Sequence, residues 1–149
     1  MSCLFWLVVG MLSTFGRGCC SPLPKEPESP GAVPGWKASD AGGVHTVGIL
    51  VLKKGESSDN GILGVRVVDI IPADPCAGST TLQRTPRVRL QFYQVPEQTL
   101  ICEEVLTSGS GTSLVVGSCG DRIARRGVSA ISVNAINATE QWVWFELRR

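Results

Sequence analysis

The segment RVRLQFY, residues 87–93, alternates between polar and apolar side chains along nearly its whole length. Successive side chains of a β-strand point to opposite faces, so this pattern predicts a strand with one buried and one solvated face. The predicted core positions are Val88, Leu90 and Phe92. The predicted solvated positions are Arg87, Arg89, Gln91 and Tyr93.

Similar apolar and β-branched runs, separated by turn-forming residues, lie on both sides of this segment. They cover residues 46–54, 62–71, 99–106, 113–118, 128–135 and 141–148. Most of the connections are too short for parallel crossovers, each of which needs about a dozen residues or more. We therefore predict an all-β domain over residues 45–149, an antiparallel β-sandwich or a small Greek-key barrel of about seven strands. Helix is predicted only as one short turn near residues 122–126.

The N-terminus carries an apolar run, LFWLVVGML, at residues 4–12. This run has the length of an export-signal core and is too short for a membrane span, which needs about 20 apolar residues. We therefore predict a signal peptide at residues 1–18 and a secreted or periplasmic mature chain. The alternatives are a lipid anchor at Cys19 or Cys20 and a retained apolar anchor.

Residues 19–44 contain five prolines within thirteen positions, at 22, 24, 27, 30 and 34. Proline fixes φ and removes an amide donor, so neither a helix nor a strand ladder propagates here. The segment is predicted to be a flexible, semi-extended linker. The alternative is a disordered tail with no tethering role.

Three cysteines fall in the predicted domain. Cys102 and Cys119 flank the Ser-Gly-Ser-Gly turn at residues 108–111, so a hairpin there places them within disulfide range. Cys76 is the alternative partner for either one, and a domain without a disulfide is the third possibility. The cysteine left over pairs with Cys19 or Cys20, pairs with another chain, or stays a buried thiol.

Composition argues against several function classes. Lys and Arg total 14 against 13 Asp and Glu, a net charge of +1, so no strong field attracts nucleic acid. The chain lacks a C-x-x-C zinc motif and a phosphate-binding loop, and no cofactor or metal is expected. His45 is the single histidine and no G-x-S-x-G motif accompanies it, so a small hydrolase using His45 is the remotest alternative.

Trp142 and Trp144 share one face of the last predicted strand. An exposed pair would form an aromatic platform for a carbohydrate ring, a proline-rich peptide or another protein. The alternative is a central strand covered on both faces. Core positions are predicted on the opposite face, at Val143, Phe145 and Leu147.

The loop at residues 72–86, PADPCAGSTTLQRTP, is longer than most connections, and such loops are often functional. It displays Arg84 and contains Cys76 as a possible anchor, which is the layout of a recognition or protease-inhibitor loop. The alternative is an irregular crossover between two sheets.

Two further features are surface candidates. Asn137-Ala138-Thr139 is an N-glycosylation sequon in a predicted loop. Arg122, Arg125 and Arg126 form a cluster that we interpret as solvated, with a small anion site as the alternative. Taken together, the sequence predicts a non-catalytic all-β binding module with an unknown protein or carbohydrate partner. The main alternative is a protease inhibitor displaying residues 72–86.

Overall fold

The computed structural model describes residues 22–23, 25–31, 35–36, 46–76, 84–108 and 118–149. Two antiparallel sheets pack face to face, which confirms the predicted all-β sandwich. The three-stranded sheet has the order β1-β7-β6, and the four-stranded sheet has the order β2-β3-β4-β5. The elements are β1 (Thr46–Lys53), β2 (Ser57–Asp59), β3 (Leu63–Ile71), β4 (Arg87–Gln94), β5 (Thr99–Thr107), α1 (Ser118–Ala124), β6 (Ala130–Asn137) and β7 (Trp142–Arg148).

The core forms between the inward faces of the two sheets. The three predicted core residues of β4 have no solvent exposure. They belong to the same buried cluster as the inward residues of β7, Val143, Phe145 and Leu147, which are also fully buried. In both strands, therefore, every second side chain faces the interior of the sandwich.

Tyr93 departs from the predicted pattern, because it lies on the outer face of its sheet and is only 6% exposed. It is paired across the strands with Gly64 of β3. A Cβ atom at position 64 would collide with the Tyr93 ring, so the ring occupies space that only glycine leaves open. The expectation of a solvated Tyr93 was wrong for this reason.

The connection between β1 and β3 holds a strand that the sequence did not predict, β2. The turn after it is built by Asn60, whose side-chain oxygen accepts hydrogen bonds from the backbone N–H groups of Ile62 and Leu63 at 3.0 and 2.9 Å. Gly61 follows with φ of 87°, a conformation that glycine adopts without strain.

The Cys102–Cys119 disulfide is present, with the two Cα atoms 5.5 Å apart. Cys119 lies on α1, not on the second strand of a hairpin, so the pairing was right and its expected setting was wrong. Residues 113–117 of the predicted strand lie outside the described residues, and Ser118 begins the helix. Cys76 is disulfide-bonded too.

The helix α1 packs against β5, the edge strand of the four-stranded sheet. Arg122 strengthens this contact by donating from Nη1 to the backbone oxygen of Ile101 at 3.0 Å. With seven residues, α1 is far below membrane-spanning length, and no helix within the described part of the chain is long and apolar enough to span a bilayer.

Trp36 joins the edges of the two sheets. Gly35 makes an antiparallel bridge to Ile49 of β1 through two backbone hydrogen bonds of 3.0 and 3.1 Å. The neighbouring Trp36 ring lies over Gly48 of the same strand. Its indole N–H donates to the hydroxyl of Ser58 on β2 at 2.9 Å. One side chain from the predicted linker thus spans the open side of the sandwich between β1 and β2.

Candidate functional site

A cavity of about 230 Å³ opens at the end of the sandwich where β3, β5 and β6 finish and β4 begins. We call it the end groove. Its lining is mainly apolar and contains no aromatic side chain among the described residues. The principal apolar contributors are Leu23 and Pro27 before the domain, Pro72 and Pro86 beside β3 and β4, and Ala135 and Ile136 on β6.

One wall of the end groove is made by the described residues between positions 22 and 31, which we call the strap. The strap belongs to the predicted linker, and two of its residues are fixed to the turn between β6 and β7. Glu26 accepts backbone hydrogen bonds from Ala138 and Thr139, each at 3.1 Å. Asn137 donates from Nδ2 to the backbone oxygen of Pro27 at 3.1 Å. These contacts join residues that are more than 100 positions apart in the sequence.

The turn between β6 and β7 is held in place by its own side chains. Asn137 accepts a hydrogen bond from the backbone N–H of Glu140 at 2.7 Å through Oδ1. The Glu140 carboxylate accepts in turn from the indole N–H of Trp142, also at 2.7 Å. The turn that donates the N–H groups of Ala138 and Thr139 to the strap is therefore also held by hydrogen bonds of its own.

The two predicted tryptophans occupy different environments. Trp142 is only 3% exposed and begins the central strand β7, which matches the alternative of a covered central strand. Trp144 is half-buried and pairs with Val51 on one side and Ala135 on the other. Its indole nitrogen is buried without an acceptor among the described residues. The aromatic surface therefore consists of Trp144 and not of a pair.

The loop at residues 72–86 begins and ends at the end groove, through Pro72 and Pro86. It connects β3 and β4, which are neighbours in one sheet, so the alternative of a crossover between two sheets was wrong. Arg84 is exposed. At the other side of the loop, Asp74 accepts a hydrogen bond from the backbone N–H of Cys76 at 2.9 Å. Residues 77–83 lie outside the described part of the chain.

Asn137, the sequon asparagine, is 5% exposed. A sugar would be attached to Nδ2, the same atom that donates to the Pro27 carbonyl. Because Asn137 is almost completely buried and its Nδ2 faces the strap, a glycan there would require the strap to move. Use of the sequon stays a prediction.

The arginine cluster makes contacts within the fold. Arg126 donates to the side chain of Gln94 at 2.8 Å and to the backbone oxygen of Arg122 at 2.7 Å. Since Arg122 is bonded to Ile101, two of the three guanidinium groups hold neighbouring loops and strands together. Arg125 is exposed.

Other chemistry is sparse in the region that the structure describes. Within it, no three His, Cys, Asp or Glu side chains lie close enough together to hold a metal ion. His45, Cys19, Cys20 and the predicted signal at residues 1–18 lie outside the described residues.

Comparison of the chain with protein-family models, with curated proteins and with solved structures finds no match. Sequence reasoning missed the two residues that fix the strap, Glu26 and Pro27. A carboxylate between prolines does not single out Glu26, since Glu28 has the same setting. The turn residues that Glu26 contacts are 112 and 113 positions away in the sequence.

Proposed function

We propose that this chain is an extracytoplasmic, non-catalytic binding module that holds an extended polypeptide segment in the end groove. The observation that carries the proposal is the groove itself, an apolar cavity bordered by a turn whose backbone N–H groups at Ala138 and Thr139 hold a carboxylate of the strap. Apolar walls with a few fixed polar groups are the usual composition of a ligand site.

The size and lining of the groove favour a polypeptide over a small metabolite or a sugar. Pockets for whole small molecules measure about 300–1,000 Å³. A cavity of about 230 Å³ instead suits one or two side chains of a longer segment. Sugar sites commonly use aromatic stacking, and the described lining of the groove is aliphatic and rich in proline.

Two observations support a location outside the cytosol. The N-terminal apolar run at residues 4–12 has the length of a signal core. The Cys102–Cys119 disulfide is of the kind that persists in oxidising compartments. Mass mapping of non-reduced protein from a secreting host tests this part of the proposal, and an intact Met1 in cytosolic material contradicts it.

Binding is tested by probing a defined array of short extended peptides with the labelled chain. Ala73 lines the end groove, and Ala73→Trp is expected to fill it and abolish binding. Thr99→Trp adds the same side chain at an exposed position outside the groove and is expected to leave binding intact. Equal binding by both variants, or an array without any bound peptide, contradicts the proposal.

A second candidate function, protease inhibition through residues 72–86, is favoured by the exposure of Arg84 and by the disulfide at Cys76. An exposed basic residue in a loop that carries a disulfide at Cys76 suits the specificity pocket of a trypsin-like protease. Titration of such a protease tests this function. Inhibition that is weakened by Arg84→Ala supports it, and no inhibition at stoichiometric concentration rejects it.

A further inference from the structure

The strap shows how the turn between β6 and β7 can hold a peptide, since Glu26 and Pro27 are hydrogen-bonded to that turn at the border of the end groove. We propose that the turn between β6 and β7 recognises an acidic residue followed by proline, and that Glu26-Pro27 occupies this site in cis. The inference rests on the proposed function and names the ligand class of the same groove.

Two backbone N–H groups of the turn bind the acidic side chain. One carboxylate oxygen of Glu26 lies 3.1 Å from the nitrogens of both Ala138 and Thr139, and the second oxygen lies 3.4 Å from Thr139 N. Consecutive N–H groups converging on one oxygen form a small anion site. Hydrogen bonds to an ionised acceptor are about twice as strong as neutral ones, so the turn favours a carboxylate over an amide.

The proline is contacted by Asn137 and lies at the apolar lining of the groove. The side-chain oxygen of Asn137 is held by the backbone N–H of Glu140, and this leaves Nδ2 directed at the Pro27 carbonyl. Pro27 is one of the residues that line the apolar cavity. Proline has no N–H group that would be buried without a partner, and its fixed φ lowers the entropy lost on binding.

Among the described residues, no basic side chain forms an ion pair with Glu26. Glu140 is the nearest acidic neighbour on the turn, and its carboxylate accepts from Trp142 and, at 3.4 Å, from Asn137. Lys25, next to the bound glutamate, pairs with Glu28 of the strap at 3.6 Å and both side chains are almost fully exposed. Recognition of Glu26 therefore depends on the backbone of the turn.

Because the strap is tethered, it competes with any second peptide at an effective concentration of about millimolar. The test therefore uses the purified chain carrying Glu26→Ala, which removes the cis carboxylate at an exposed position. The probe is a synthetic peptide of residues 22–31, PLPKEPESPG, and the matched control peptide carries Gln at the position of Glu26. NMR follows the amide signals of Ala138 and Thr139.

We expect the Glu peptide to shift both amide signals in the variant and to bind about tenfold more tightly than the Gln peptide, as one charge-assisted contact implies. Wild-type chain should require about tenfold more peptide for the same shift. A Glu26→Gln chain provides a second background of nearly unchanged side-chain size.

Unmoved Ala138 and Thr139 signals at millimolar peptide in both backgrounds overturn the proposal, as does equal affinity for the Glu and Gln peptides. The array separates this failure from that of the binding module. If array peptides bind the chain and Ala73→Trp blocks them, the chain is still a binding module. It then does not recognise an acidic residue followed by proline. An array without any bound peptide removes the module itself.

Discussion

The ring of Tyr93 lies across the backbone of Gly64, its partner on the adjacent strand. The guanidinium carbon of Arg66 lies 5.6 Å from the ring centroid, within the range of a cation–π contact. A tyrosine on the outer face of a sheet is thereby buried between a glycine and an arginine. The Tyr93 ring can lie here only because residue 64 is a glycine and has no side chain.

We predict that Gly64→Ala destabilises the domain by about 1–3 kcal/mol, the usual cost of overpacking a filled site. The reason is the collision between the new Cβ and the Tyr93 ring. Urea unfolding measures the change. In a Tyr93→Ala background the same substitution should be neutral or stabilising, because alanine is better than glycine in a strand. An equal loss in both backgrounds would show that Tyr93 is not the obstacle.

The hydrogen bond between Trp36 and Ser58 should couple the predicted linker, which contains Trp36, energetically to β2. Ser58→Ala removes the acceptor of the 2.9 Å indole hydrogen bond, and Trp36→Phe removes its donor. A double-mutant cycle followed by urea unfolding should give a coupling of about 0.5–1.5 kcal/mol, the net value of one such bond. Strictly additive effects would mean that the bond contributes nothing in solution.

The Cys102–Cys119 disulfide closes a loop with a sequence separation of 17 residues. In the chain-entropy model a loop of about 15 residues contributes roughly 3 kcal/mol. We therefore expect Cys102→Ser combined with Cys119→Ala to lower the free energy of unfolding by about that amount. Because the disulfide ties α1 to β5, amide hydrogen exchange in residues 118–124 should accelerate more than in β4. Uniform acceleration would contradict a local role.

The strand pattern was predictable because its signal is local. The alternation of residues 87–93 and of residues 142–148 depends only on which side of a strand faces the core, and both strands were placed within one residue of their observed ends. The short β2 was not predicted, since Ser57, Ser58 and Asp59 have no apolar alternation. Its pairing comes from the neighbouring strand β3.

The candidate site was not predictable because its contacts are distant in sequence. Pro72, Pro86 and Ala135 come together only after the sheets have formed, and nothing in the residues between them indicates a shared cavity. Tyr93 was assigned to the solvated face for the same reason, since its burial depends on a glycine in another strand. The period-two pattern of a strand indicates on which face of the sheet a side chain lies. Whether a side chain on the outer face is buried depends on the residues of the neighbouring strand.

The last prediction concerns Asp69, whose pKa is held below its ordinary value of 3.8 mainly by a hydrogen bond from Lys54, with Nζ 2.7 Å from the carboxylate. A lowered pKa in the folded state means that the charged carboxylate stabilises the fold above the ordinary pKa, and that this contribution is lost as the pH falls through the folded value. Asp69→Asn should therefore cost stability at pH 7, by less than about 1 kcal/mol because the pair is partly exposed. The gap between wild type and variant should close on acidification below the folded pKa, as measured by urea midpoints from pH 7 to pH 2. In a Lys54→Gln background the gap at pH 7 should shrink, and a gap that is independent of both pH and Lys54 would show that the ion pair does not stabilise the fold.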